Sequence, residues 1–95
     1  MSKLFKYHWN FNSDISNWNV SNVRHMERMF SGASSFNQDI SNWDVSKVTD
    51  MSWMFSDALS FNMDINNWDV SNVTSMKGIF KNSKIKEEFK PKLKN

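Results

Sequence analysis

The chain has 95 residues, 39% of them hydrophobic, with eight Phe, five Trp, seven Met and no cysteine; this fits one domain with an ordered core and excludes disulfides, zinc–thiolate sites and a cysteine nucleophile. The net charge of +2 is unevenly placed: residues 81–95 hold six lysines against two glutamates, while the first 80 residues hold six basic against eight acidic groups, so the basic character belongs to a solvated tail and no basic stripe marks a nucleic-acid surface. No apolar run approaches the roughly 18 residues of a membrane span, and Met1–Lys6 lacks the apolar stretch of a signal peptide; nucleic-acid binding, membrane insertion and a cofactor are not expected.

The chain repeats every 25 residues, with Trp18, Trp43 and Trp68 in one register. Ile15, Ile40 and Ile65 share another, as do Val20, Val45 and Val70, and Val23, Val48 and Val73. Phe11, Phe36, Phe61 and Phe30, Phe55, Phe80 continue the series, together with Met26, Met51 and Met76. Asn12, Asn37, Asn62 and Asp14, Asp39, Asp64 repeat among the polar positions. A unit of this size cannot bury its own apolar side, whereas stacked copies can. The expected fold is a repeat solenoid in which equivalent side chains meet, with about 3.8 repeats over residues 1–25, 26–50, 51–75 and 76–83.

In chain order, Met1, Leu4 and Phe5 already read as the helical half of a repeat, and Tyr7, His8 and Trp9 replace the following loop. In the next full unit Ile40, Trp43, Val45 and Val48 alternate with polar Asn42, Asp44 and Ser46, the pattern of a short strand with one buried face. Met51, Met54, Phe55 and Ala58 follow at i, i+3, i+4 and i+7. That spacing predicts a short α- or 3₁₀-helix, capped by Thr49 or Asp50. Phe61 then anchors the closing loop, where Asn62 and Asp64 form turns. Strands of adjacent repeats would pair in parallel on one side, with the helices on the other. Beyond Phe80 the pattern stops, and Ile85 and Phe89 lie i, i+4 in a Ser83-capped stretch that Pro91 ends. Residues 84–95 are therefore expected to be a basic capping helix and tail. No cap is visible at the first repeat, so an end-to-end homodimer is a further expectation.

The string Ile-x-x-Trp-x-Val-x-x-Val followed by a helix resembles the core of leucine-rich repeats. The stretch Asn42 to Phe55, with Ser60 to Ile65, is similar to the BspA-type repeat of mycoplasma and Gram-positive surface proteins, over residues 1 to about 83. The resemblance implies a leucine-rich-repeat-like solenoid, a surface or secreted setting for the parent chain, and binding or adhesion without assigned chemistry. Two features depart from it. Val23, Val48 and Val73 stand where leucine-rich repeats carry their asparagine ladder, and no lipobox cysteine or sorting signal is present.

Catalysis finds little support. His8 and His25 are the only histidines and lie in different parts of the repeat, without further ligands in sequence reach. The Asp14, Asp39, Asp64 register suits turn capping better than calcium, because the glycine-rich calcium-repeat pattern is missing. The outward positions Asn17, Asn19, Asn42, Asp44, Asn67 and Asp69 form a polar array on the expected concave strand face. That array is the candidate site for a protein or glycan partner. Trp53 replaces Arg28 and Lys77 in its register and is the candidate aromatic anchor. The expected function is a non-catalytic binding module of surface-adhesin type; the alternative is a scaffold that stacks end to end.

Overall fold

Alternate backbone amides tie one stretch of the chain to the next. In the computed structural model, which describes residues 1–92, the amides of Met26, Arg28, Phe30 and Gly32 donate to the carbonyls of Asp50, Ser52, Met54 and Ser56 at 2.9–3.0 Å. Met51, Trp53, Phe55 and Asp57 donate onward to Ser75, Lys77, Ile79 and Lys81, each at 2.9 Å. Lys3, Phe5 and Tyr7 reach Glu27, Met29 and Ser31 in the same way. The intervening amides stay local: Met29, Ser31 and Ala33 donate to carbonyls three residues back, and so do Met54, Ser56 and Ala58. Each layer is therefore a run of overlapping turns, with every second amide aimed at the following layer.

Two columns of left-handed residues produce this alternation. Lys3, Arg28, Trp53 and Gly78 have φ between +58° and +64°, and Tyr7, Gly32, Asp57 and Asn82 have φ between +58° and +74°. A right-handed helix cannot hold an L-residue at positive φ every four positions. The expected helix over Met51–Ala58 is therefore absent, although Met51, Met54, Phe55 and Ala58 are all fully buried. The expected strand is absent as well. Amide bonds from Trp43 to Ile40 and from Val48 to Val45, each three residues back, bend the segment that a strand would need extended.

The leucine-rich-repeat-like solenoid of parallel strands and short helices is thus corrected to a fold with almost no regular secondary structure. Among the described residues the one regular element is a 3₁₀ turn at Glu87–Phe89. Sheet-like pairing is limited to isolated parallel bridges, His25 to Asp50 and Asp50 to Ser75. The molecule measures 31 × 26 × 20 Å.

Aromatic columns fill the space that the turns enclose. Phe5, Phe30, Phe55 and Phe80 stack with ring centroids 5.5–5.8 Å apart and planes within 11°. Phe11, Phe36 and Phe61 form a second column at 5.6–5.7 Å. Rungs of the two columns meet at 3.8 Å for Phe5–Phe11, 4.2 Å for Phe30–Phe36 and 4.4 Å for Phe55–Phe61. Each fully buried ring contributes on the order of 1.5–3 kcal/mol of transfer free energy, before conformational entropy is subtracted. Met26, Met29, Ile40, Met51, Met54 and Ile65 complete the core. Among them the Ser31 and Ser56 hydroxyls lie buried, 2.8 Å apart, so that each has a partner.

The tryptophan column is anchored by its polar edge. Trp43 Nε1 donates to the Ile15 carbonyl and Trp68 Nε1 to the Ile40 carbonyl, both at 3.1 Å. Trp43 and Trp68 are 4% exposed, whereas Trp18, in the first layer, is 42% exposed. The tryptophan register is therefore buried at its second and third members and exposed at its first.

The C-terminal segment is laid flat and is not helical. The expected capping helix over residues 84–95 is reduced to the three-residue turn Glu87–Phe89; residues 93–95 lie outside the described residues. Ile65 N–H donates to the Phe89 carbonyl at 3.0 Å, Lys86 N–H to Asn62 Oδ1 at 3.0 Å and Asn66 Nδ2 to the Lys90 carbonyl at 2.9 Å. These bonds seat the segment on the loop half of the third layer. The Ser83 Oγ does accept the Ile85 amide, at 3.2 Å, but no helix follows.

Two substitution pairs test this packing. Trp43→Phe removes the bond to Ile15 and is expected to cost about 1–3 kcal/mol in urea unfolding, while Trp18→Phe stays within about 0.5 kcal/mol. Gly32 and Gly78 share positive φ, where ordinary residues also sit at an expense of about 1–2 kcal/mol. A Cβ on Gly32 comes within 2.6 Å of the exposed Tyr7 ring, and one on Gly78 overlaps the half-buried Trp53 ring. Gly78→Ala is therefore expected to lower the melting temperature more than Gly32→Ala, because Trp53 has less freedom to move than Tyr7.

Candidate partner-binding face

The polar side of each layer is built from one recurring corner. An Asp or Asn side chain accepts the backbone amide two residues on, which turns the chain locally. Asp14 does this to Ser16, Asp39 to Ser41 and Asp64 to Asn66, each at 2.9 Å. Asn19 does it to Ser21, Asp44 to Ser46 and Asp69 to Ser71, each at 3.0 Å. The hydroxyls of Ser16, Ser21 and Ser46 add a second bond to the same oxygen at 2.6 Å. Three of the candidate residues, Asn19, Asp44 and Asp69, thus hold corners and are exposed.

The other three candidates are exposed between the corners. Asn17, Asn42 and Asn67 occupy one register and all lie on the surface. Asn67 Nδ2 also reaches the Ser41 carbonyl of the layer before it, at 3.4 Å. Nearby, Asn72 Nδ2 donates to the Ser46 carbonyl at 2.7 Å and Lys47 Nζ to Asn22 Oδ1 at 3.1 Å. Ser41, Asp64, Asn66 and Asn67 line an open depression of about 280 Å³. All six polar candidates are exposed, and Asn67 is the one that lines this depression. They sit on turns, which corrects the expected concave strand face, because the corner bonds consume the extended conformation that strands require.

Trp53 does not join them. Its ring lies against Gly78, with the Arg28 guanidinium and the Lys81 ammonium each 5.5 Å from the ring centre. None of these neighbours belongs to the polar columns, and the ring is half-buried. The signal that could have located it is the glycine one repeat later. The same pairing of an aromatic residue with a following glycine recurs at Tyr7 and Gly32. The exposed aromatics are instead Tyr7, Trp9 and Trp18, in the first layer.

Electrostatics set the charge state of the face. The carboxyls of Asp14 and Asp44 are held below the ordinary range, first by the Ser16 and Ser46 hydroxyls and then by the backbone amides of the same residues. Asp39 is lowered likewise by Ser41. Lys47 lowers Asp44 further, while the neighbouring Asp69 charge opposes it. Among the described residues, no group of three or more His, Cys, Asp or Glu side chains is placed to hold a metal ion. His25 Nδ1 lies 3.9 Å from Glu27 Oε1, and His8 packs edge-on to Phe5. No helix among the described residues is long and apolar enough to cross a membrane.

Stacked layers with hydrogen-bonded corners, built from a 25-residue sequence unit, define a tandem-repeat protein. The chain belongs to the family described as Mycoplasma protein of unknown function, DUF285, whose model matches residues 1–94. No curated protein and no solved structure matches it.

The corner carboxylates give a pH test. A carboxyl with a depressed folded-state value stabilises the fold above its ordinary titration range, near pH 4, and loses that contribution as pH falls through the lower folded value. Stability is therefore expected to be level from pH 7 down to about 5 and to decline below about 4. Asp39→Asn, which keeps an acceptor oxygen, should flatten part of that decline in thermal melts across pH.

Proposed function

We propose that this chain is a non-catalytic binding module that takes a protein or glycan partner on its polar face, through Asn17, Asn19, Asn42, Asp44, Asn67 and Asp69. The observation that carries the reading is the open depression lined by Ser41, Asp64, Asn66 and Asn67, set in a surface where amides and carboxylates recur from layer to layer. Corner bonds hold Asn19, Asp44 and Asp69 in place, so three recognition groups are ordered before a partner arrives, which lowers the entropy lost on binding. Amide and carboxylate groups in register suit ligands that present hydroxyl or amide groups at a matching repeat, such as an extended glycan or a peptide backbone.

Family membership in a mycoplasma repeat group supports a BspA-type reading of the repeat. We place the parent chain at the cell surface or among secreted proteins, in an adhesive role. The half-buried Trp53 is left outside the recognition surface.

Printed glycan arrays and arrays of purified extracellular-matrix proteins test the proposal. At least one spot is expected to bind the chain, and Asn42→Lys with Asn67→Lys should weaken that binding at least about tenfold, which corresponds to about 1.4 kcal/mol. Melting temperature should change little in the double variant. Absence of binding on either array, or binding that both substitutions leave intact, would overturn it.

A further inference from the structure

Charge is sorted by its place in the repeat. The turn runs, residues 1–8, 26–33, 51–58 and 76–83, carry five basic groups against two acidic ones. The stretches that join them, residues 9–25, 34–50 and 59–75, carry two basic groups against six acidic ones. Turn run lies on turn run, through amide bonds from Arg28 to Ser52, from Trp53 to Lys77 and from Asp57 to Lys81. Stacking in register therefore gathers basic groups along the turn runs and carboxylates along the corners, a division that the net charge conceals.

Trp53 is the centre of the basic strip. The Arg28 guanidinium of the second layer and the Lys81 ammonium of the fourth each lie 5.5 Å from its ring centre. A cation held over an aromatic ring is ordered, yet keeps N–H groups for an anion. Lys77, exposed, belongs to the next layer, and its carbonyl accepts the Trp53 amide. Arg28, Lys77 and Lys81 take no part in the ion pairs His25–Glu27 and Lys90–Glu87. The two carboxylates of the turn runs are engaged elsewhere: Asp57 Oδ1 accepts Asn82 Nδ2 at 2.8 Å, and Glu27 lies beside His25.

We infer that the strip at Arg28, Trp53, Lys77 and Lys81 binds an extended polymer of sulfate esters, a sulfated glycan. A sulfate ester offers three terminal oxygens, so two cations that share one ring can hold it between them. Cations on successive layers match an anion that recurs along an extended chain. Nucleic acid fits less well, because its bases stack on an open aromatic face, and Trp53 has Gly78 against its ring and two cations over it. A membrane surface takes up aromatic side chains that are free to enter it, and the seat on Gly78 holds Trp53 back. The corner carboxylates repel the same polymer. The strip is therefore separate from the polar residues proposed above, and neither reading depends on the other.

Isothermal titration of the untagged full chain with a size-defined heparin oligosaccharide at neutral pH tests the inference. Affinity is expected to fall at least about tenfold between about 0.05 and 0.5 M NaCl. Arg28→Glu and Lys81→Glu should each weaken binding roughly three- to tenfold. Lys77→Glu, at an exposed position, should do the same without lowering the melting temperature. Lys86→Gln with Lys92→Gln, in the C-terminal segment, should cost less than about twofold, and Asn42→Lys with Asn67→Lys should not weaken binding. Absence of binding would overturn the inference, as would binding that Arg28→Glu, Lys77→Glu and Lys81→Glu all leave intact. So would equal affinity for the desulfated oligosaccharide, polyglutamate, single-stranded DNA or phosphatidylglycerol vesicles, the mark of a strip that answers to negative charge alone.

Discussion

The fold depends on the alternation of backbone amides between two tasks. An amide that closes a turn cannot also reach the next layer, so the chain divides them: Met29 and Ser31, like Met54 and Ser56, stay local, and Arg28 and Phe30, like Trp53 and Phe55, bridge. This satisfies buried backbone groups without a strand or a helix, a demand that any packed interior makes. Residues at positive φ are the mechanism, and they are mostly ordinary side chains. Lys3, Arg28, Trp53, Asp57 and Asn82 accept that conformation because neighbouring layers impose the same geometry on them.

The corners solve the same problem on the opposite side of each layer. Asp39 and Asp44 in one layer, and Asp64 and Asp69 in the next, cap turns with their own side chains. Glycine is thereby spared: only Gly32 and Gly78 occur, and each lies under an aromatic ring from the layer before. A residue that caps a corner and also faces solvent couples structure to recognition. Replacing it alters the shape of the surface as well as its chemistry.

The register of the layers was legible in the sequence, because Phe30 and Phe55, Met26 and Met51, and Trp43 and Trp68 recur at fixed distance and all lie buried. The local backbone was not. Apolar positions at 51, 54, 55 and 58 satisfy a helical stripe, and the turn run buries those same four side chains. Periodicity records which residues face inward and is silent about the sign of φ. The alternation of Asn42, Asp44 and Ser46 with Trp43 and Val45 misled for a related reason, since an Asp followed two residues later by Ser marks a corner as readily as a strand surface. Of the candidate site, the polar columns could be read from the sequence. The seat of Trp53 on Gly78 needed the glycine one repeat later to be weighed as a steric partner.

A unit joined to its neighbours by bonds that recur at one spacing can be copied or deleted whole. Inserting another 25 residues restores every donor and acceptor to the partner type it had before, and only the length of the stack changes. Inserting a single residue exchanges the bridging amides with the turn-closing ones throughout the affected layer. Duplication in whole units is therefore the structurally neutral route by which such a gene can lengthen or shorten, and any shift out of phase exacts a backbone penalty at once.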